Sequence, residues 1–535
     1  MGKYFGVMLD MSRNGVMKLD SLKQYIDYLS AFGYNMIQLY TEDTYEVENE
    51  AYFGYLRGAY KQSELKEIDE YCQKKGIELI PCVQTLAHLQ SIFRWDRYKN
   101  IHDTADILLV DDDQTYAFID NIFFTLSKTF SSRKVNIGMD EAHMVGLGKY
   151  LDRHGYQNRY ALLNRHLNRV VEIAKKYGFE PLMWSDMFYR LHNNGEYYTL
   201  NPKLPETISQ DIPDVTPVFW DYYHAHKKYY LAMLQSHKKF KRELWFAGGA
   251  WSWIGFTPSN RFTLRTMRPA LDACREMGVE NVMFTLWGDN GKECSYFALL
   301  PSLYYLRRYY DGERNRHKIA DEFEKITGES FERMMRLDMP NYVGKKPTGN
   351  QNPSKYMLYN DLFFGVFDTL TEDGIGEEYA RLAKRFALYA KQSKSFGYLY
   401  DMQAKLCKTL STKYGLGVAL RSAYQSRDKE KLHALVPVIK NTEKSIGVFY
   451  ESFRKLWYLE NKPQGFEVQD ARLGGLERRV RSCRLRVEAY LNGEIDELPE
   501  LTEKLLDFWG NGEIFGKEIV QYNRWSDIIT TNNID

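Results

Sequence analysis

The segment Lys134-Val-Asn-Ile-Gly-Met-Asp-Glu141 ends an apolar run on two adjacent carboxylates. Neighbours along a strand ordinarily face apart, but where a strand ends both side chains can turn into one cleft. Two carboxyls held that close raise the pKa of one of them. One acid then stays protonated near neutral pH beside an ionised neighbour, as general acid–base chemistry requires. The same two residues would equally serve as a helix cap (Asp140) and a solvated first-turn acid (Glu141). The pair therefore has to be weighed with what stands at the ends of the other apolar runs.

Those ends carry Asp10, Ser12 and Arg13; Glu42 and Asp43; Gln84 and His88; His143; Trp184 and Asp186; Trp220, Asp221 and Tyr222; Trp251 and Trp253; and Trp287 and Asp289. The set is acids, an arginine, histidines and tryptophans. It suits a pyranose: carboxylates move protons, charged groups hold hydroxyls, and ring faces cover the sugar.

The elements that must position these groups are short and repeated. Candidate strands are Tyr4–Asp10, Asn35–Thr41, Ile77–Val83, Lys134–Asp140, Glu180–Ser185, Thr216–Trp220, Leu244–Gly248 and Asn281–Trp287. Most are largely apolar rather than strictly alternating, as parallel strands buried on both faces are. Between them, Leu19–Phe32, Ser63–Lys75, Asn158–Tyr177 and Arg261–Met277 have helical apolar spacing. Each is followed by a glycine (Gly33, Gly76, Gly178, Gly278) and, within a few residues, by a strand. Glycine there permits the left-handed turn that ends a helix. Eight such units predict a closed (β/α)8 TIM barrel, whose catalytic groups sit at the C-terminal strand ends. Residues 43–62 and 191–215 read as long loops on that face.

Beyond about residue 312 the texture changes. Residues 376–413, 427–460, 470–493 and 498–510 read as amphipathic helices, and 339–354 (MPNYVGKKPTGNQNPS) as a linker. The expected organisation is a barrel over 1–340 and an α-helical C-terminal domain over 353–535. In that domain Trp457, Trp509 and Trp525 read as core.

Composition narrows the function. Lys+Arg total 72 and Asp+Glu 71, so broad electrostatic capture of nucleic acid or an anionic membrane is not expected. The six cysteines have no CxxC spacing and read as reduced structural thiols. No basic-then-apolar leader opens the chain and no apolar run approaches membrane length, so a cytoplasmic protein is expected.

With these residues in order, the chain resembles glycoside hydrolase family 20, the β-N-acetylhexosaminidases. Asn136-Ile-Gly-Met-Asp-Glu-Ala142 is similar to that family's (H/N)-x-G-x-D-E-x. Asp10-Met-Ser-Arg13 is similar to D-x-S-R, Thr41-Glu-Asp43 to T-D-D, Ala87-His88 to P-G-H, Trp184-Ser-Asp186 to W-Q-E, and Trp287-Gly-Asp289 to W-G-E. The matches fall at successive strand ends and span the barrel. The helical C-terminal domain resembles that of a bacterial subgroup with the barrel first.

The resemblance implies cofactor-free, retaining hydrolysis of a terminal β-linked GlcNAc or GalNAc, with the substrate's own acetamido oxygen as nucleophile. Glu141 is then the general acid and base, and Asp140 holds the acetamido N–H. Arg13 binds O3/O4 and Asp289 binds O4/O6. Trp184, Trp220, Trp251 and Trp287 line the sugar pocket, and His88 with Glu42 or Asp43 tunes Glu141 from behind. The chain departs from the family in having Glu42 for Asp and Asp289 for Glu. After the seventh strand it has Ala250-Trp-Ser-Trp253 and no tyrosine, so Tyr222 or Tyr223 would take the acetamido contact.

Two other readings use the same residues: a non-catalytic sugar-binding barrel, and a metal-dependent hydrolase built on His88, Asp140 and His143. His224-Ala-His226 falls in a stretch that reads as helical, where i and i+2 face apart, and so as structural. Lys238–Arg242 reads as a solvated helix end. Arg478–Arg486, with five arginines in nine residues, reads first as a salt-bridged face, and otherwise as an interdomain or homodimer contact.

Overall fold

Strands Tyr4–Asp10 (β1), Met36–Thr41 (β2), Glu78–Val83 (β3), Lys134–Asn136 (β4), Glu180–Trp184 (β5), Thr216–Trp220 (β6), Trp245–Gly249 (β7) and Asn281–Leu286 (β8) each pair in parallel with the next. β8 pairs back to β1, with Gly6 opposite Met36 on one side and Met283 on the other, which closes the barrel. Every residue of β2 and β8 is buried, because the sheet is filled from inside and covered by helices outside. The architecture comes from a computed structural model that describes residues 3–344, 350–508, 510 and 521–534.

Helices Leu19–Ala31, Gln62–Lys74, Arg159–Lys176 and Asn260–Met277 fall within a residue of their expected starts. Gly33, Gly76, Gly178 and Gly278 behind them have φ of +84°, +69°, +76° and +69°. A further helix, Asp113–Thr129, precedes β4 and starts where the Asp112 carboxylate accepts the Gln114 N–H. The helix after β6 is Lys227–His237. His224 and His226 therefore precede it rather than lying on it, which corrects the sequence expectation; His224 Nδ1 is 2.7 Å from buried Asp221.

Contacts divide the chain into two units: Met1–Ala250, Thr263–Trp287 and Leu303–Arg314, which hold the barrel, and Trp251–Phe262, Gly288–Ser302 and Asn315–Asp535. The second unit is helical. The span expected as one helix over 376–413 is two, Ile375–Gln392 and Gly397–Lys413. The break is held by buried Glu329, whose carboxylate accepts the N–H groups of Lys394 and Ser395 and the Ser393 hydroxyl. Lys429–Glu460 and Phe466–Leu491 follow. Only Pro499–Leu501, a short 3-10 turn, forms within the described part of 498–510. Trp509 and residues 345–349 of the expected linker lie outside the described residues.

Trp457 is fully buried and Trp525 half-buried over Tyr359 and Arg472. The arginine-rich segment is an ion-paired face: Arg479 to Asp361 at 2.6 Å, Arg484 to Glu488 at 2.9 Å and Arg486 to Glu500 at 2.8 Å. No helix among the described residues is long and apolar enough to cross a membrane.

Candidate active site at the C-terminal ends of the barrel strands

β4 is shorter than its apolar run implies. It stops at Asn136, and Gly138, Met139 and Glu141 then take φ of +74°, +66° and +51°. Left-handed backbone costs a non-glycine residue about 1–2 kcal/mol, so it persists where the surroundings over-determine it. Here the surroundings are polar. The Gln84 carbonyl accepts the Met139 N–H at 3.1 Å, and the Gln84 amide donates to Asp140 Oδ1 at 2.7 Å and to the Tyr40 hydroxyl at 2.9 Å. Glycine is required at 138 for space as well as φ, since a Cβ there would lie 2.2 Å from Gln84 Oε1 and 2.7 Å from the Val83 carbonyl oxygen.

His88, itself at φ +57°, brings Nε2 to 3.3 Å from Asp140 Oδ2 and 3.8 Å from Glu141 Oε2. Burial alone would raise the Asp140 carboxyl. The His88 charge and the hydrogen bonds from His88 and Gln84 outweigh it and hold Asp140 below the ordinary carboxylate value. Burial in turn pulls the imidazole down, but Asp140 and, behind it, Glu42 push it up to about 9. The two form a buried carboxylate–imidazolium pair at neutral pH. Within the Asp140–Glu141 pair, Asp140 is thus held down rather than raised. A carboxyl that is raised comes from the next strand: burial, then the Asp140 charge, pushes Asp186 up to about 7.

Asp186 Oδ2 accepts the backbone N–H of Glu141 at 3.0 Å and the Nε–H of Arg190 at 3.2 Å. Its Oδ1 accepts the Trp220 indole N–H at 3.4 Å. Arg190 also places Nη2 at 3.9 Å from Glu141 Oε1. On the opposite side, Arg13 Nη2 is 3.1 Å from Glu42 Oε1, which also accepts the Tyr40 hydroxyl at 3.1 Å. Burial raises the Glu42 carboxyl against the pull of Arg13 and His88. Asp43 turns instead to Arg57, 3.3 Å away.

The rings gather on the same unit. Trp287 meets Tyr40 edge-on at 4.8 Å and Trp184 at 6.3 Å between centroids. Tyr222 stacks on Trp220 at 5.3 Å and is hydrogen-bonded to the Thr285 and Trp287 side chains. Tyr223, in contrast, is 46% exposed. The Trp184 indole N–H is buried and makes no hydrogen bond within the described residues. Such a donor is costly unless something else satisfies it. Trp251 and Asp289 fall in the second unit, where Trp251 stacks on Trp253 at 4.1 Å.

Of the sequence-selected residues, Arg13, Glu42, His88, Asp140, Glu141, Trp184, Trp220, Tyr222 and Trp287 thus stand on one unit in a connected set. The sequence does not single out Arg190 and Tyr40, and it places Gln84 and Asp186 at strand ends without a role. For Asp186 and Arg190 the signal was present: acid and base four apart in a short helical segment face each other.

Residues 3–201 match the catalytic-domain model of glycosyl hydrolase family 20, and residues 329–520 match the Glycoside Hydrolase 20C C-terminal domain. The chain belongs to glycoside hydrolase family 20. Among curated relatives, human hexosaminidase D is 25% identical over 223 residues, 38% of this chain and 42% of the human protein. Bovine hexosaminidase D is 27% identical over 222 residues, 38% of this chain and 59% of its own. The matches therefore span about half the length of these curated relatives. The crystal structure of a β-N-acetylhexosaminidase from Bacteroides fragilis aligns over 61% of this chain and 69% of its own, at 18% identity and a TM-score of 0.46.

Proposed function

We propose that the protein is an exo-acting β-N-acetylhexosaminidase that removes a terminal β-linked GlcNAc or GalNAc with retention, by the substrate-assisted route. The observation that carries this reading is Asp140. It is a buried carboxylate held ionised between Gln84 and His88, directly beside Glu141. An ionised acceptor in a fixed direction is what orients an acetamido N–H, so that the acetamido oxygen attacks the anomeric carbon as an internal nucleophile. As that C–O bond forms, the glycosidic C–O bond breaks and Glu141 gives its proton to the departing oxygen. Water then opens the oxazolinium ring with Glu141 taking the proton back, so two displacements leave the configuration as it began.

Arg13 binds the sugar's outer hydroxyls, while Trp184, Trp220 and Trp287 wall the pocket. The buried Trp184 N–H is a donor for a ligand oxygen, and Tyr222 takes the acetamido contact. The six cysteines, all free and buried, support a reducing, cytoplasmic setting.

The test is hydrolysis of 4-nitrophenyl N-acetyl-β-glucosaminide and its galacto epimer by wild type, Glu141→Gln and Asp140→Asn. Turnover by wild type with loss of about 10²-fold or more in each variant supports the assignment. An inert wild type on both epimers overturns it in favour of a sugar-binding barrel.

A further inference from the structure

The loop between β2 and Gln62–Lys74 carries an exposed ring cluster that the proposed chemistry does not use. Its ends are clasped, the Glu46 N–H donating to the Tyr60 carbonyl at 2.8 Å and the Tyr60 N–H to the Thr44 carbonyl at 3.0 Å. Inward, Phe53 packs edge-on against Tyr45 at 5.1 Å and meets Phe118 at 5.7 Å. Outward, Tyr52 and Tyr55 are 46% and 48% exposed, and Leu56, at φ +63°, is 69% exposed. Trp95, from the loop after β3, joins them, its ring 5.6 Å from Tyr52 and 5.4 Å from Tyr55.

Water would draw these rings inward if burial alone decided, and a leucine avoids left-handed backbone. Rings grouped in one exposed patch, and a leucine held in left-handed backbone, are features that recur at binding surfaces. The cluster is tied to the strand ends. Arg57, next to Leu56, donates to the Ser12 carbonyl at 2.5 Å and to Asn14 at 3.1 Å, on either side of Arg13. Trp95 follows His88 by seven residues, four of them in the helix Gln90–Phe93. That places the two Cα atoms within about 20 Å, a short oligosaccharide's reach from the carboxylate pair.

We infer that Tyr52, Tyr55, Leu56 and Trp95 form a platform for the reducing-side sugars of an oligosaccharide whose terminal residue occupies the strand-end pocket. Pyranose rings present flat C–H faces, which suit half-exposed aromatic rings, and an exo-acting pocket leaves the remainder of the chain to lie on the flanking loops. The inference rests on the proposed hexosaminidase reading for its ligand class.

The experiment uses triacetylchitotriose as probe. Isothermal calorimetry compares Glu141→Gln, which holds the probe uncleaved, with the same protein carrying Tyr55→Ala and Trp95→Ala. Loss of two aromatic anchors is expected to weaken binding about tenfold. Trp95→Phe, which keeps a ring, is expected to restore most of the affinity. In the active enzyme, the ratio of kcat/KM for the trisaccharide to that for the aryl monosaccharide falls by the same factor. Equal affinity with and without the rings, or no binding of the probe, overturns the platform. An enzyme that cleaves the aryl glycoside with an unchanged ratio overturns it too while leaving the hexosaminidase reading intact. An inert wild type that still binds the probe through these rings overturns the hexosaminidase reading and leaves the platform.

Discussion

The carboxyl of Asp186 accepts the backbone N–H of Glu141 at 3.0 Å, so the proposed acid is fixed by a side chain from the end of the neighbouring strand. The same carboxyl takes the Trp220 indole N–H and the Arg190 guanidinium. One buried group thereby sets the spacing between the Glu141 backbone and the Trp220 ring.

Asp186→Asn is expected to move stability and activity in opposite directions. The folded carboxyl is raised to about 7. The stability tied to its proton is present below the unfolded value near 4 and lost as pH rises through about 7. The shift is net of Arg190, so burial and Asp140 outweigh that cation, and a neutral isostere escapes the loss. Thermal unfolding at pH 8 should show the variant about 1–2 kcal/mol more stable, with no gain at pH 4. Because Asn presents a weaker acceptor to Glu141, kcat should fall about 10- to 100-fold. A variant less stable at pH 8 contradicts the assignment of the raised group.

His88 is expected to set the alkaline limit of the proposed activity. Its folded value is raised to about 9 by Asp140 against burial. The charge pair is fully present below the unfolded value near 6.5 and lost as pH rises through about 9. The kcat/KM profile should fall with a step near 9, and His88→Asn should lower the plateau about 10- to 100-fold and remove that step. Persistence of the step in the variant would assign it to another group.

Much of the barrel is legible in the sequence because parallel strands bury both faces and leave largely apolar, non-alternating runs, as in Met36–Thr41 and Asn281–Leu286. The helix Asp113–Thr129 does not show as an apolar stripe, although Asp111-Asp-Asp113 before its apolar face is a capping pattern, because its buried residues lie on too wide an arc. β4 is shorter than its apolar run because the turn through Ile137 and Met139, both apolar, is set by Gln84, a residue from the end of another strand. The raised carboxyl is Asp186 rather than one of the adjacent pair for a related reason. Proximity in sequence suggested that Asp140 and Glu141 would perturb each other, whereas the charge that fixes Asp140 comes from His88, distant in the chain.

Gln84 binds two groups of that turn and the Tyr40 hydroxyl of β2, and gives the next expectation. Gln84→Leu keeps the volume but strips partners from Asp140, the Met139 N–H and the Tyr40 hydroxyl. Leaving buried polar groups unpaired costs about 1–3 kcal/mol each. Chemical denaturation should show a loss of about 2–4 kcal/mol, and activity should fall further than folding alone explains, because Asp140 loses its orientation. Wild-type turnover by a folded Gln84→Leu protein would remove Asp140's fixed direction from the mechanism.

Two glycines separate backbone strain from space. Gly138 and Gly178 have nearly the same φ, +74° and +76°. A Cβ at 178 meets nothing within 4 Å, whereas one at 138 lies 2.2 Å from Gln84 Oε1 and 2.7 Å from the Val83 carbonyl oxygen. Gly178→Ala therefore bears only the left-handed penalty, about 1 kcal/mol, and should retain full kcat. Gly138→Ala bears the same penalty and must also displace Gln84 or the end of β3, at a further cost of about 1–3 kcal/mol. The displaced Gln84 releases Asp140, so kcat should fall about 10²-fold even at a temperature where the variant is folded. Urea unfolding and kcat measured for both variants give the comparison. Equal losses at the two positions would mean that the Gln84 contact does not hold the turn on which Asp140 and Glu141 stand.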